Sequence, residues 1–208
     1  TGHGVPGALV SMLGISFLNE IVIKKKVKTA AEVLEKLRHR VKTSFRQADP
    51  NTQSKDGMDI SFCTLQKSDN ILYYAGANNP VWIVSKNKTL EINELTTHPV
   101  LDKDDFYLFE KKADKQPVGK SYGEIKSFNL NKIQLNPGDL VYIFSDGFAD
   151  QFGGPNGKKF KYEPFKDLLL SINQLKSEDK SRELIHVFDN WKGSLDQVDD
   201  ICIIGIKI

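Results

Sequence analysis

The segment Ser145-Asp146-Gly147-Phe148-Ala149-Asp150-Gln151-Phe152-Gly153-Gly154 follows directly on the apolar run Leu140-Val141-Tyr142-Ile143-Phe144, which leaves a turn at Asn136-Pro137-Gly138-Asp139. A strand therefore runs out of a tight turn and into an acidic, glycine-rich loop. An aspartate at the end of a buried strand is costly unless its desolvation is offset, and a hard cation with oxygen ligands is the usual remedy. A second acidic pair, Asp199-Asp200, stands just before the run Ile201-Cys202-Ile203-Ile204-Gly205-Ile206. Two carboxylates at two strand ends form the skeleton of an oxygen-ligand metal site. A bare Asp-Gly is equally a turn.

The chain has 208 residues, 39% of them hydrophobic, which suits one globular domain with a sizeable core. Its net charge of +2 does not point to nucleic acid, and none is expected as a partner. The stretch Lys24 to Arg46 carries nine Lys or Arg against two Glu and reads as a solvated helix face. Cys63 and Cys202 lie in apolar runs without ligand-spaced partners, so buried free thiols in a reducing compartment are expected. The apolar runs are shorter than the roughly 20 residues a membrane span needs, and no signal peptide is visible. The chain opens on Thr1-Gly2-His3-Gly4-Val5-Pro6-Gly7, a glycine-rich loop leading into a helix with no strand ahead of it. It reads as the C-terminal part of something larger.

From Ala8, the spacing of Leu9, Met12, Leu13, Phe17 and Ile21 is helical, with small residues at Ala8, Gly14 and Ser16. Thr29-Ala30-Ala31-Glu32 is a capping box opening a second helix through Val33, Leu34, Leu37, Val41 and Phe45, which Asp49-Pro50-Asn51 stops. Met58–Leu65, Ile71–Ala75, Val81–Val84 and Thr89–Ile92 read as an antiparallel meander. Residues 95–123 look irregular apart from Phe106–Phe109, and Ile125–Leu130 is expected to pair with Asp139–Phe144. Helices are expected over Glu163–Leu175 and Ser181–Phe188, and a final strand over Ile201–Ile206. Paired helices outside a block of antiparallel strands predict a layered α+β sandwich.

Thr1-Gly2-His3-Gly4 before a helix could cradle an anion, through unpaired first-turn N–H groups that Gly2 and Gly4 let a ligand approach. It lacks the lysine of a nucleotide-triphosphate loop. His3, between two glycines, is a candidate active-site acid or proton shuttle, or a loop histidine without chemistry. Gly76-Ala77-Asn78-Asn79-Pro80 is most simply a turn, and Asp56-Gly57-Met58-Asp59, taken alone, a solvated one.

Together these pieces resemble the metal-dependent (PPM-type) serine/threonine protein phosphatases, in their bacterial SpoIIE-like branch. The matching segments are TGHGVPGALVSM at 1–12, DGMDI at 56–60, YAGANNPVWIV at 74–84, PGDLVYIFSDGFADQFGG at 137–154 and QVDDICIIGI at 197–206. The resemblance implies a four-layer α-β-β-α sandwich of two mainly antiparallel sheets flanked by helices, over a single domain 1–208 that lacks its N-terminal strands. It implies two Mn²⁺ or Mg²⁺ ions in the complete domain, with Asp146 and Asp199 as metal ligands. Asp59, Asn78, Asp150 and Asp200 are expected around that first set of ligands. In the family, an aspartate two residues before the segment matching Thr1 bridges both ions; it lies outside this sequence, so weak or partial binding is expected of residues 1–208. Asn78 stands where eukaryotic members place a further metal-binding aspartate, so a third ion is not implied.

The function implied is hydrolysis of phosphoserine or phosphothreonine on a partner protein in bacterial signalling, by a metal-activated water. Residues 1–208 alone are expected to be impaired. The expected setting is the cytoplasm, or the cytoplasmic part of a membrane-anchored sensor with an upstream sensory domain. An uncovered sheet edge leaves self-association open. The rival is a catalytically inactive phosphatase fold acting as a regulatory or scaffolding domain.

Overall fold

A computed structural model describes residues 4–24, 27, 29–48, 57–119 and 126–208, without the side chains of 4–6 and 45–48. The chain begins with α1 (Gly4–Leu18), a π-helical turn (Asn19–Lys24) and α2 (Ala30–Ala48). Strands follow as β1 (Gly57–Met58), β2 (Ile60–Gln66), β3 (Ile71–Ala77), β4 (Val81–Ser85), β5 (Leu90–Ile92), β6 (Leu95–Thr97) and β7 (Leu101–Lys103). Next come β8 (Phe106–Lys111), β9 (Val118–Gly119), β10 (Asn131–Gln134) and β11 (Leu140–Phe144). The remainder is α3 (Gly147–Asp150), β12 (Phe152–Gly153), β13 (Lys158–Lys159), α4 (Tyr162–Ser171), α5 (Ser177–Lys192) and β14 (Ile203–Lys207). The architecture is mixed α+β with antiparallel sheets, as expected.

The chain divides into two compact units. Unit 1 comprises Thr1–Val81, Ile92–Glu94 and Lys111–Gln134. Thr29 begins α2 as the capping box predicts, its Oγ1 accepting the Glu32 N–H at 3.3 Å. From α2, Val33, Leu34, Leu37 and Val41 form one buried stripe, joined by Val10, Phe17 and Ile21 and by Met58, Ala75, Ala77, Val118 and Phe128. Beneath the helices β2 and β3 pair antiparallel from Ile60↔Ala77 to Gln66↔Ile71, and β10 pairs with the other edge of β3.

Two expectations fail in or beside this unit, the wholly solvated basic helix and the strand at Ile125–Leu130, and the first helix adds details that its spacing left open. The first helix turns Val10, Phe17 and Ile21 inward and leaves Leu9, Met12 and Ile15 exposed. It is apolar all round, so periodicity could not set its phase; Gly14, whose missing Cβ leaves room for the end of Met58, lies on the buried side. The window Gly7–Lys24 is long and apolar enough to cross a membrane by length and composition alone. The basic helix is not wholly solvated: Arg38 is buried, ion-paired with Glu35, bonded to the Lys126 carbonyl at 3.0 Å and stacked 4.6 Å from the Phe128 ring centre. Residues 126–130 carry no strand, and β10 pairs with β3 and not with β11. Ile125 and Asp49-Pro50-Asn51 lie outside the described residues.

Unit 2 comprises Trp82–Glu91, Leu95–Glu110 and Leu135–Ile208. Its sheet has the order β14-β11-β4-β8-β7. The meander therefore ends after β3: β4 pairs with β11, in register Leu140↔Val84 to Tyr142↔Trp82, and not with β3 or β5. Residues 95–111, expected to be mostly irregular, form β6, β7 and β8. One face of this sheet packs on α4 and α5 through Trp82, Phe144, Phe148, Phe160, Phe165, Leu169 and Phe188. Phe148 stacks on Phe165 at 4.6 Å and meets Phe160 edge-on at 5.1 Å. Lys166 is buried here, paired with Glu163 at 2.8 Å and Glu110 at 3.4 Å.

Candidate functional site

The acidic loop of unit 2 is built residue by residue from its sequence. β11 and β14 run antiparallel from Leu140↔Lys207 to Phe144↔Ile203, so both acidic segments lie at the same end of the pair. One residue further on, the Ser145 N–H bonds the Cys202 carbonyl at 2.9 Å. The Ser145 hydroxyl then donates to the Asp200 carbonyl at 2.8 Å and accepts the Cys202 N–H at 2.9 Å. This staple holds the segment carrying Asp146 against the one carrying Asp199 and Asp200. Gly147 completes the approach, because a Cβ there would fall inside 3.0 Å of the Asp200 carbonyl oxygen and 3.2 Å from Ile201 Cγ1. A serine and a glycine flank Asp146 for these reasons.

The rest of the loop anchors this junction. Phe148 drives α3 into the aromatic core, and the Asp150 N–H closes that turn on the Asp146 carbonyl at 2.9 Å. Gln151 is fully buried. Its amide donates to the Asp196 carbonyl at 2.9 Å and the Phe152 carbonyl at 3.0 Å, and its oxygen accepts the Val198 N–H at 3.2 Å. It thus pins the backbone leading into Asp199. Gly153 and Gly154 admit Trp191 of α5, whose carbonyl accepts the Gly154 N–H at 2.7 Å. Sequence reading missed Gln151, since a glutamine in a polar loop carries no signal that it is buried.

Of the predicted site residues, the structure sets side by side the backbone segments that carry Asp146 and Asp199-Asp200. Asp199 is half-buried, and its Oδ1 accepts the Asp200 N–H at 2.8 Å. Asp150 points elsewhere, in an ion pair with Lys159 at 2.9 Å. Within unit 1, Asn78 Nδ2 donates to Asp59 Oδ1 at 2.8 Å. Asn78 has a left-handed backbone, φ 59°, where asparagine is tolerated better than most residues. The turn it belongs to is held by Tyr74 and Ser61, whose hydroxyls both donate to the Asn79 carbonyl at 2.7 Å. Gly4 is the first residue of α1. Gly2 and His3 lie outside the described residues.

Carboxylate oxygens suit a hard divalent cation in kind. In number they fall short, since no group of three or more His, Cys, Asp or Glu among the described residues could hold a metal ion. The cysteines offer no alternative chemistry. Burial pushes the Cys63 thiol up to about 12, away from the thiolate a nucleophile needs. Both cysteines are free, but Cys202 is exposed and Cys63 only half-buried, against the expectation of two buried thiols.

Comparison with known proteins bears on the family and the fold. A family model described as stage II sporulation protein E (SpoIIE) matches residues 1–208. No curated protein matches the chain in sequence. Among solved structures, the SiaA-PP2C domain of Pseudomonas aeruginosa is similar at 22% identity, covering 100% of this chain and 72% of that one with a TM-score of 0.78. The PP2C phosphatase domain and regulatory-domain fragment of SpoIIE from Bacillus subtilis is similar at 13% identity and TM-score 0.66, covering 100% and 52%. The catalytic domain of the serine threonine protein phosphatase PstP, in complex with two manganese ions, is similar at 11% identity and TM-score 0.56, covering 99% and 83%. The fold is that of PP2C-type phosphatase domains, and the chain spans about half the length of the SpoIIE structure it matches.

Proposed function

The chain belongs to the SpoIIE family, and from that premise we propose that residues 1–208 act as one phosphatase domain, hydrolysing phosphoserine or phosphothreonine on a partner protein in bacterial signalling. The observation that carries this reading is the Ser145 staple, which holds the Asp146 and Asp199 segments side by side at one end of β11 and β14. A phosphomonoester dianion is repelled by bare carboxylates, so such a cluster handles it only with positive charge between them. Two divalent ions, Mn²⁺ or Mg²⁺, would supply that charge and the acidification of a water nucleophile. Asp146 and Asp199 would be the residues that hold them on this side of the site. Asp200 buttresses Asp199 through its N–H, and Gln151 fixes the backbone that aims both. His3, with Gly2 and Gly4, is assigned to the approach of the phosphate and to protonation of the leaving oxygen. The manganese complex of PstP supports the metal requirement. The working place proposed is the cytoplasm, as the output of an upstream sensory domain.

A second reading, a phosphatase fold retained as a regulatory scaffold, draws on the shortage of ligands among the described residues. One experiment separates the two. Hydrolysis of a phosphoserine protein is followed with and without Mn²⁺, for the wild-type chain, Asp146→Asn and Asp199→Asn. The enzyme reading expects slow, Mn²⁺-dependent turnover that both variants abolish. Turnover that persists in chelator refutes the mechanism, and no turnover at millimolar Mn²⁺ favours the scaffold.

A further inference from the structure

Asp199 lies between two ties. After it in the chain, the Ser145 hydroxyl holds the Asp200 carbonyl and the Cys202 N–H. Before it, the Gln151 side chain holds the Asp196 carbonyl and the Val198 N–H. A segment held at one point pivots about it, and a second tie removes the pivot, so Asp199 keeps its place only while Gln151 keeps its own. The Gln151 carbonyl takes two donors, the Phe160 N–H at 2.9 Å and the Trp191 indole Nε1–H at 3.1 Å. Phe160 ends the same loop, whereas Trp191 comes from outside it, as the penultimate residue of α5. The Trp191 carbonyl also accepts the Gly154 N–H at 2.7 Å, so one residue grips both ends of the stretch 151–154. The loop is shaped to admit it: a Cβ on Gly153 would collide with the Trp191 carbonyl oxygen, and one on Gly154 would fall 2.6 Å from the ring. The ring itself meets Phe160 edge-on at 5.2 Å.

We infer that Trp191 is a positioning residue for the phosphatase reaction proposed above, a reading on which this inference rests. Its indole N–H fixes the Gln151 backbone, and Gln151 in turn fixes the segment that presents Asp199 beside Asp146. Phe188 of the same helix lies in the aromatic core, so α5 gives Trp191 a firm footing. The acidic junction is thereby tied to that core by a path separate from the one through Phe148. Ring and N–H have different tasks. The ring fills the hollow left by Gly153 and Gly154 and packs on Phe160, a task that phenylalanine nearly reproduces. The N–H is a donor that phenylalanine lacks, and without it the Gln151 carbonyl keeps one partner, from its own loop. The loss falls on the placing of Asp199, and so on the rate of the chemical step more than on binding of the phosphoprotein.

The test compares the 208-residue protein with Trp191→Phe, Gln151→Ala and the double variant. Without metal, amide exchange at Val198 should quicken about fivefold in Trp191→Phe, the effect of one lost hydrogen bond, while the amides of β11 keep their rates. Gln151→Ala should quicken Val198 at least as much. Adding Trp191→Phe to it should change Val198 no further, because the path runs through Gln151. In turnover of a phosphoserine protein with Mn²⁺, Trp191→Phe should lose about tenfold in kcat with KM unchanged. Equal quickening of Val198 and β11 marks a general loosening and overturns the inference, as do effects of the two substitutions that multiply. Wild-type exchange at Val198 or a wild-type kcat in Trp191→Phe overturns it alone and leaves the phosphatase reading standing. A wild-type chain without turnover fails that reading, and the inference with it.

Discussion

Gly147→Ala adds one methyl group at the point where the two acidic segments meet. The added Cβ would sit inside 3.0 Å of the Asp200 carbonyl oxygen, a backbone atom that no rotamer change can move. To restore an ordinary contact the segments must part by about 1 Å. The Ser145 bonds that tie them, 2.8 Å to the Asp200 carbonyl and 2.9 Å from the Cys202 N–H, cannot both survive that opening. Losing them costs about 1 kcal/mol each, and the overpacking itself a further 1–3 kcal/mol, so a total near 3–5 kcal/mol is expected. For a chain of this size that lowers Tm by roughly 2–4 °C per kcal/mol. The functional effect is larger in proportion, because a displacement of about 1 Å between groups that must act together costs on the order of 100-fold in rate. Thermal and urea unfolding should be read beside Mn²⁺ titration and phosphoester hydrolysis. Gly157→Ala serves as the control, since it has open space around it and only the strain of its left-handed φ of 58°. If Gly147→Ala kept its stability within about 0.5 kcal/mol, the range of a neutral surface change, and kept its metal affinity, the staple would not be what aligns Asp146 with Asp199.

Gln151→Ala should destabilise by about 1–3 kcal/mol, because the Asp196 carbonyl and Val198 N–H lose their fully buried partner; proteolysis near residues 196–200 reports the loosening. Arg38→Met should cost about 1–3 kcal/mol, since the Lys126 carbonyl loses its donor and Glu35 its ion pair while keeping the Phe128 N–H, read by urea denaturation, and a change near zero would place Arg38 among ordinary solvated cations. With iodoacetamide at pH 8, the exposed Cys202 should be alkylated before Cys63, whose thiol burial raises to about 12; mass spectrometry of the peptides gives the order. Because that value lies above the ordinary 9.0, the stability it contributes is complete below pH 9 and is lost as pH rises towards 12. Unfolding midpoints from pH 8 to 11 should therefore fall, and less steeply in Cys63→Ala. Titration of Mn²⁺ into residues 1–208 should show weak binding, since Asp146 and Asp199 leave most of an octahedral shell to water; two tight sites would contradict this.

Much of this protein is determined locally and was legible in its sequence. Thr29 caps α2 because a hydroxyl at the residue before the helix lies within reach of the unpaired first-turn N–H groups, here that of Glu32. The runs at Leu140 and Ile203 are strands wherever they pair, and the turn at Asn136–Asp139 closes on itself, the Asp139 N–H bonding the Asn136 carbonyl at 3.0 Å. Asp146 and Asp199 announce themselves as carboxylates at strand ends. What the sequence could not carry is which strand lies beside which. β4 leaves β3 at Asn79-Pro80 for a partner about 60 positions later, and β10 returns to β3, because pairing is won by burial on a whole sheet face and not by neighbours along the chain. The phase of α1 was lost for a related reason: an all-apolar helix has no polar side to exclude, so Gly14 and its neighbours in unit 1 choose the buried face. Gln151 and Gly147 take their roles from backbone atoms of residues 196–200, more than 40 positions away. A side chain's chemistry is written in its own letter, but whether it is buried, and against which carbonyl, exists only once the distant segment is in place.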